Sequence, residues 1–116
     1  MLILPIKKKW YDMILSGEKK EEYRDIKPYY ERRFYNYFRS QGRMMEKAPL
    51  NEWLATDLVF DMVVKFRNGY SVKSPSFIAT VTLDIGTGKI EWGAEPCKKY
   101  YVLRIHRILE VRDGKS

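Results

Sequence analysis

The densest group of side chains that could do chemistry lies between residues 16 and 24. The run Ser16-Gly17-Glu18-Lys19-Lys20-Glu21-Glu22-Tyr23-Arg24 places carboxylates and cations near one point if the chain turns at the glycine. In a partly desolvated cleft, Glu22 would pair with one cation and leave another free to bind an anion. The alternative is a charged strand that faces solvent, where most charged residues lie. Spacing alone leaves both interpretations open.

Residues 27–47 combine positive charge with aromatic rings, as sites for single-stranded nucleic acid do. Six lysines and arginines accompany two glutamates there, a net charge of 6 − 2 = +4. Four rings recur at the spacing of one helix face, which favours burial; they are Tyr30, Phe34, Tyr37 and Phe38. Tyr29 and Tyr35 lie off that face and are better candidates for stacking on bases. A smaller patch, Lys7-Lys8-Lys9 beside Trp10, either contacts the ligand through Lys9 or is a solvated turn.

The remaining reactive side chains form no catalytic or metal-binding motif. His106 is the only histidine and Cys97 the only cysteine, so the sequence offers neither a zinc motif nor a triad, and we expect no metal and no cofactor. Gly86-Thr87-Gly88-Lys89 lacks the spacing of a phosphate-binding loop and is interpreted as a turn. The Asn-Gly pair in Arg67-Asn68-Gly69-Tyr70 fits a type I′ hairpin turn, and this turn accounts for the pair without a binding role.

Hydrophobic periodicity predicts two early helices and several strands that would position these residues. Lys8–Ser16 is expected to form a short helix, and Gly17 stands where a left-handed glycine ends one. Pro28 opens a second helix. Residues 39–57 are interpreted as a functional or mobile loop with one helical turn near Asn51–Leu54. The predicted strands are Leu2–Ile6, Lys20–Ile26, Leu58–Phe66, Phe77–Ile85 and Tyr100–Val111, with a further short segment at Lys89–Trp92.

Length indicates one domain that covers residues 1–116, and the predicted helices and strands give it the α+β class. The chain is 45% hydrophobic and 32% charged, too apolar for a disordered protein. Its net charge of 22 − 15 = +7 favours an anionic partner, most commonly nucleic acid. The single cysteine excludes an intramolecular disulfide. No apolar run approaches the ~20 residues of a membrane span, and no signal peptide is recognisable, so we expect a cytoplasmic protein without a membrane partner.

The charged motif and three later blocks resemble one known family. Gly17-x-Lys19-x-x-Glu22-x-Arg24, preceded by the predicted helix, is similar to the signature of the ASCH (activating-signal-cointegrator homology) domain. Short bacterial and phage-type ASCH proteins carry similar blocks in the same order. These blocks are Ile26-Lys27-Pro28-Tyr29-Tyr30, Phe66-Arg67-Asn68-Gly69-Tyr70, and Gly86-Thr87-Gly88 with Glu91-Trp92-Gly93-Ala94. The resemblance covers residues 2–111 except for 39–57.

The resemblance implies a PUA-like small β-barrel with about five to six mostly antiparallel strands and two or three short helices. It also implies a cleft beside the first helix that binds RNA or a nucleotide. The similar block Phe66-Arg67-Asn68-Gly69-Tyr70 suggests that Arg67 and Tyr70 line this cleft. Together with the patches described above, the expected nucleic-acid contacts are Lys9, Lys19, Lys20, Glu22, Arg24, Tyr29, Arg67 and Tyr70.

An enzymatic role is the main alternative, because some ASCH proteins are amidohydrolases that remove the acyl group from acetylated cytidine. At the corresponding motif, those enzymes combine a lysine and a threonine with an acidic partner. Between Lys19 and Arg24, the only hydroxyl is the phenol of Tyr23, so the expected hydroxyl nucleophile is missing. If the protein is an enzyme, Lys19 and Glu22 are the catalytic candidates: Glu22 would assist attack by water and Lys19 would stabilise the oxyanion.

The leading hypothesis is a non-enzymatic module that binds single-stranded RNA or a nucleotide. Splayed bases of a single strand enter a cleft more easily than the base edges of a duplex. A second hypothesis is the amidohydrolase, acting on a modified nucleoside such as N4-acetylcytidine. A third is an adaptor that binds a protein partner through the helix at residues 28–38. The sequence leaves the oligomeric state open.

Overall fold

The computed structural model describes residues 1–42, 50–54 and 60–114, which form a mixed α+β fold. The strands are β1 (Leu2–Pro5), β2 (Glu21–Asp25), β3 (Phe60–Arg67), β4 (Ser76–Thr87) and β5 (Lys99–Arg112). The helices are α1 (Lys8–Leu15), α2 (Pro28–Ser40) and α3 (Leu50–Leu54), and a 3₁₀ turn lies at Ile90–Trp92. The predicted α+β class is therefore confirmed.

The five strands form one curled sheet in the order β1-β3-β4-β5-β2. β1 is parallel to β3, and the other neighbouring strands are antiparallel, which confirms the expectation of mostly antiparallel pairing. The sheet curls into a half-barrel, so the edge strands β1 and β2 approach each other at one end. There Arg24 of β2 donates a hydrogen bond from Nη2 to the carbonyl oxygen of Pro5 in β1, at 2.7 Å.

Two arginines cover the free edge of β1. Arg33 of α2 donates from Nη2 to the carbonyl oxygen of Ile3 at 2.6 Å, and Arg24 donates to that of Pro5. An uncovered strand edge is a template for pairing with another chain, so these contacts satisfy the edge within the molecule. The Nε atoms of both arginines are buried and have no hydrogen-bond partner among the described residues, which costs free energy of folding.

The core lies between the sheet and the helices, and alternation along β3 and β4 supplies much of it. The core side chains of β3 and β4 are Phe60, Met62, Val64, Phe66, Phe77, Ala79, Val81 and Leu83. Tyr11 and Ile14 of α1 pack against them. On α2, Phe34 and Phe38 are fully buried, whereas the other two rings of the predicted apolar face are partly buried. The predicted helix stripe is therefore confirmed at its centre.

The connection between β3 and β4 differs from the sequence prediction. Residues 68–75 separate the two strands, and the Asn68 N–H donates to the carbonyl oxygen of Pro75 at 2.8 Å. A type I′ turn needs positive φ at both central residues. Gly69 has a φ of 125°, but Asn68 is not among the described residues with positive φ. The predicted type I′ turn is therefore wrong, because the chain forms a longer loop here.

Residues 39–57 are described only in part. The chain continues α2 to Ser40, and the helical turn predicted near Asn51–Leu54 is confirmed as α3. Arg43 and Lys47 of the basic stretch lie outside the described residues. Within the described ranges, no helix has the length and apolarity that crossing a membrane requires.

Tyr101 gives the core a pH dependence that can be measured. Its side chain is fully buried, and its hydroxyl donates to Oδ1 of Asn51 at 2.6 Å. Burial raises the pKa of Tyr101 from 10.0 to about 12. Between these values the unfolded chain loses a proton that the folded chain keeps, so stability that is fully present below pH 10 is lost as the pH rises toward 12.

We therefore expect the free energy of unfolding, measured by urea denaturation, to fall as the pH rises from 10 to 12. In the Tyr101→Phe variant the fall is expected to be smaller. It does not vanish, because burial also raises the pKa values of Tyr11 and Tyr23. An equal fall in wild type and variant would contradict the assignment to Tyr101.

Candidate functional site

A large cavity opens between α1, β2 and the loops that follow β1, β2, β3 and the 3₁₀ turn. Its volume is about 670 Å³, inside the range of roughly 300–1,000 Å³ that is typical of small-molecule sites. Its aromatic lining consists of Trp10, Tyr23, Tyr30, Tyr70 and Trp92. Its polar side chains are those of Lys7, Glu22, Arg24, Asp25, Lys27 and Asn68. The cavity therefore combines flat apolar surfaces with charged and amide groups.

The turn after α1 directs Lys19 toward this cavity. Gly17 has a φ of 85°, as predicted for the glycine that ends the helix. The backbone N–H groups of Gly17 and Lys19 then donate to the carbonyl oxygens of Ile14 and Met13, at 3.0 and 2.9 Å. This closed turn leads directly into β2, so the charged motif lies beside the end of α1.

Lys19 lies behind the wall of the cavity and not at its mouth. Its side chain is fully buried, and Nζ lies 4.7 Å from the ring centre of Trp10 and 4.9 Å from that of Tyr23. The ammonium donates to the carbonyl oxygen of Trp92 and lies 3.4 Å from Oε1 of Glu22. Burial lowers the pKa of Lys19, and Glu22 offsets only part of this effect. Lys19 thus holds four lining residues together without being exposed to a ligand.

Glu22 and Arg24 form a nearly buried ion pair in the cavity lining. Oε2 of Glu22 lies 2.7 Å from Nη2 of Arg24, and only 8% and 10% of the two side chains are exposed. Arg24 also donates from Nη1 to the Tyr30 hydroxyl at 3.3 Å. Burial alone would lower the pKa of Arg24, but Glu22 and Tyr30 raise it more, so its net shift is upward. The predicted convergence of Lys19, Glu22 and Arg24 is confirmed, with the carboxylate between two cations.

Two glycines allow the β4–β5 connection to pack against the rings of the cavity. A Cβ at Gly88 would lie 2.5 Å from the Tyr23 ring, and a Cβ at Gly93 would lie 2.9 Å from the Trp10 ring. Gly93 also has a φ of 104°, a backbone conformation that residues with a side chain rarely adopt. The Lys89 N–H donates to the Tyr23 hydroxyl at 2.9 Å. Packing and hydrogen bonds therefore hold this wall in place.

The mouth of the cavity carries cations that have no acidic partner in the described ranges. Lys7 and Lys27 are exposed, and neither forms a salt bridge with a described residue. Nζ of Lys27 lies 5.4 Å from the ring centre of Tyr30. Asp25, in contrast, pairs with Lys98 at 3.1 Å. The free positive charge at the mouth therefore favours an anionic ligand.

The structure brings half of the predicted contact residues to this cavity. Glu22, Arg24 and Tyr70 line it, and Lys19 lies behind its wall. The residues outside the lining are Lys9, Lys20, Tyr29 and Arg67. Strand alternation explains two of them: the exposed Lys20 precedes β2 beside the buried Lys19, and Arg67 ends β3 beside the buried Phe66. The expectation that Arg67 lines the cleft is therefore wrong, since the loop after it supplies the lining.

The other two predicted contacts flank the cavity. Nζ of Lys9 lies 4.6 Å from the ring centre of Trp10, but the side chain belongs to the exposed surface of α1. Tyr29 is 52% exposed and packs edge-on against Tyr30, with ring centres 5.0 Å apart. Both therefore contact a lining residue without lining the cavity themselves.

Sequence reasoning missed several lining residues. The helix-face spacing of Tyr30 predicts burial, the Asn-Gly pair predicts a tight turn at Asn68, and Trp92 is not among the expected contacts. Lys7 and Lys27 belong to the two predicted basic patches but were not among the expected contacts, although each directly precedes a predicted helix. Their shared position directly before a helix could have identified them, since both helices begin at the cavity.

Residues outside the cavity offer no further catalytic or metal centre in the described ranges. No group of three or more His, Cys, Asp or Glu side chains there is arranged to hold a metal ion. His106 contacts the Thr82 hydroxyl through Nε2 on the exposed side of the sheet. Cys97 is exposed and is a free thiol. The cavity is therefore the candidate site that the described geometry defines best.

Comparison with known proteins gives no family assignment. No protein-family model, no curated protein and no solved structure matches this chain. Proposals about function consequently depend on the geometry of the cavity and on the motif resemblance described above.

Proposed function

We propose that this protein binds single-stranded RNA by accepting a nucleotide into the cavity. The observation that carries the proposal is the combination of aromatic walls with free cations at one opening. Trp10 and Tyr30 supply ring surfaces, and Lys7 and Lys27 supply ammonium groups at the mouth. Stacking a base on an aromatic side chain is worth about 1–3 kcal/mol. An unpaired strand offers such bases, whereas a duplex keeps them stacked.

The N-terminus of α1 adds to the positive potential at the mouth, whereas Glu31 in the first turn of α2 offsets the helix dipole there. Lys7 and Lys27 are the residues immediately before α1 and α2, and neither helix has a side-chain hydrogen bond that caps its N-terminus. Free backbone N–H groups and the helix dipole favour negative charge at such positions. Phosphate groups of the strand are therefore expected to lie near these lysines, while a base occupies the interior.

The buried charged cluster has a supporting role in this proposal. Lys19 is enclosed and contacts the Trp92 carbonyl and Glu22, so it positions the wall and does not bind phosphate directly. Most of the hydrogen-bonding capacity of Arg24 is used by Glu22, Pro5 and Tyr30. These residues contact the rings of Trp10, Tyr23 and Tyr30 and thereby hold them in the cavity wall.

Membership of the ASCH family and a PUA-like fold belong to the same proposal. The half-barrel with helices near one end agrees with the fold that the motif resemblance implies. Three of the similar blocks contribute residues to the cavity lining, through Arg24, Tyr30 and Tyr70, and the fourth contributes Trp92 and Gly93. Blocks that are far apart in the chain thus meet at one opening, as expected if the resemblance is functional.

Binding is better supported than hydrolysis. Catalysis by the Lys19–Glu22 pair would require its groups to reach a scissile bond. The Lys19 side chain has no exposed surface, and Glu22 is already engaged by two cations. Incubation with N4-acetylcytidine would test the alternative, and the expected result is no release of cytidine.

The binding proposal can be tested by fluorescence anisotropy with a labelled short single-stranded RNA. Each phosphate contact to a single strand contributes about 0.7 to the slope of log affinity against log salt. We therefore expect the Lys7→Ala/Lys27→Ala double variant to bind more weakly and to lose up to about 1.4 from that slope. A wild-type protein that binds no RNA at low salt would overturn the proposal.

A matched control separates these contacts from the effect of net charge. Lys65 and Arg107 belong to β3 and β5 and lie outside the cavity lining. Their double replacement by alanine removes the same charge and is expected to change affinity only slightly. If both double variants weaken binding equally, the mouth of the cavity is not the site.

A further inference from the structure

Asn68 occupies a fixed position in the cavity lining at the start of the β3–β4 loop. Its backbone N–H donates to the Pro75 carbonyl oxygen at 2.8 Å, which closes the base of the loop. The next residue, Gly69, has a φ of 125°, and a Cβ there would lie 2.5 Å from Oγ of Ser74. The backbone that carries Asn68 is therefore held by a compact loop.

The side chain of Asn68 has unused hydrogen-bonding capacity. Glu22 and Asp25 are paired with cations, and the Tyr23 hydroxyl bonds to Glu21 and to a backbone N–H. The carboxamide of Asn68, in contrast, makes no hydrogen bond to any residue in the described ranges. It presents a donor and an acceptor on neighbouring atoms of a lining side chain.

We propose that Asn68 reads the edge of the bound base and that the preferred base is adenine; this rests on the proposed binding of RNA. Adenine presents its N6 amino donor between two acceptors, N1 on the Watson–Crick edge and N7 on the Hoogsteen edge. A carboxamide can therefore form two hydrogen bonds with either edge, and asparagine pairs with adenine in this way elsewhere. Cytosine offers such a pair only on its Watson–Crick edge, through N4 and N3, and guanine and uracil offer a ring N–H beside a carbonyl oxygen there. Adenine alone offers the pair on its Hoogsteen edge, through N6 and N7, and this is the edge assigned to Asn68.

The proposal makes base preference depend on one side chain. The probes are four labelled oligouridylates that carry A, C, G or U at the central position, measured by anisotropy at a single salt concentration. Wild type is expected to bind the adenine probe most tightly, by roughly 5- to 150-fold over uridine. Asn68→Ala is expected to remove this preference while it retains the binding that is common to all four probes.

Two further measurements make the test specific. A probe with N6,N6-dimethyladenine retains the ring but lacks the amino donor, so it should weaken binding to wild type and leave the Asn68→Ala variant unaffected. Asn36→Ala is the matched control, because Asn36 is an exposed asparagine of α2 outside this cavity. It is expected to preserve the preference for adenine.

The outcomes separate this inference from the proposed function. Binding without base preference, or a preference that survives in Asn68→Ala, would overturn the role of Asn68 and leave RNA binding intact. A preference for another base that Asn68→Ala removes would overturn the assignment of adenine. Absence of any binding by wild type would overturn both proposals.

Discussion

Replacing Glu22 by glutamine is expected to lower the free energy of unfolding by about 3–5 kcal/mol, because two buried cations lose their counter-charge. The carboxylate lies 3.4 Å from the ammonium of Lys19 and 2.7 Å from the guanidinium of Arg24, and all three side chains are at least nine-tenths buried. Urea denaturation of wild type and Glu22→Gln at neutral pH measures this loss.

The loss is also expected to depend on pH, through Lys19. Burial already lowers the pKa of Lys19, and removal of the neighbouring carboxylate lowers it further. Between the lowered folded-state pKa of Lys19 and its unfolded value of 10.5, the unfolded chain binds a proton that the folded chain has lost. The free energy of unfolding therefore rises as the pH increases through this range. The difference between wild type and Glu22→Gln should therefore be largest at neutral pH and decrease toward alkaline pH. Comparison at each pH cancels the contribution of the buried tyrosines.

An exposed ion pair supplies the control for this prediction. Glu110 pairs with Arg112 at 3.0 Å, but 49% and 70% of the two side chains are exposed. Such pairs contribute roughly 0–1 kcal/mol, so Glu110→Gln should leave the free energy of unfolding almost unchanged. A loss of similar size in Glu22→Gln and Glu110→Gln would mean that the buried cluster is not stabilised by its carboxylate.

The second large effect is expected at Gly88, where a methyl group has no room. A Cβ would lie 2.5 Å from the Tyr23 ring and 2.8 Å from Cβ of Ala94. The ring cannot withdraw easily, because Tyr100 packs against it at 5.6 Å and the Lys89 N–H bonds to its hydroxyl. Overpacking of this kind costs about 1–3 kcal/mol, so Gly88→Ala should lower the denaturation midpoint.

The same substitution is expected to weaken RNA binding beyond its effect on stability. Displacement of the β4–β5 connection moves Trp92, whose carbonyl oxygen accepts a hydrogen bond from Lys19, and thereby changes the cavity wall. Gly86→Ala is the matched control, since a Cβ at Gly86 meets no atom within 4 Å. If the two variants are equally stable and bind RNA equally well, the close packing at Gly88 is unimportant.

Local sequence patterns predicted the elements that depend on local physics. Gly17 ends α1 with positive φ because a glycine there meets no steric penalty. The spacing of Phe34 and Phe38 placed them on the buried face of α2, where both are fully buried. Long-range pairings were not accessible in this way, and the parallel contact of β1 with β3 joins segments about sixty residues apart. No local signal specifies such a partner.

The candidate site was predicted in part for the same reason. The motif indicated that Lys19, Glu22 and Arg24 meet, and they do. It did not indicate that Lys19 is buried, because the groups that enclose it come from α1 and from the connection after β4. The lining also includes Asn68, whose Asn-Gly context favoured an ordinary turn on local grounds.

The amino-acid sequence by itself determined the α+β class, the glycine end of α1, the alternation of β3 and the excess of positive charge. These properties follow from backbone preferences, from the periodicity of apolar residues and from composition. The tertiary structure alone decided which charges are buried, which remain free at the mouth of the cavity, and which rings face it. Burial depends on the arrival of distant segments, as when Trp92 covers Lys19, and the same lysine is a surface cation or an internal support according to what packs over it.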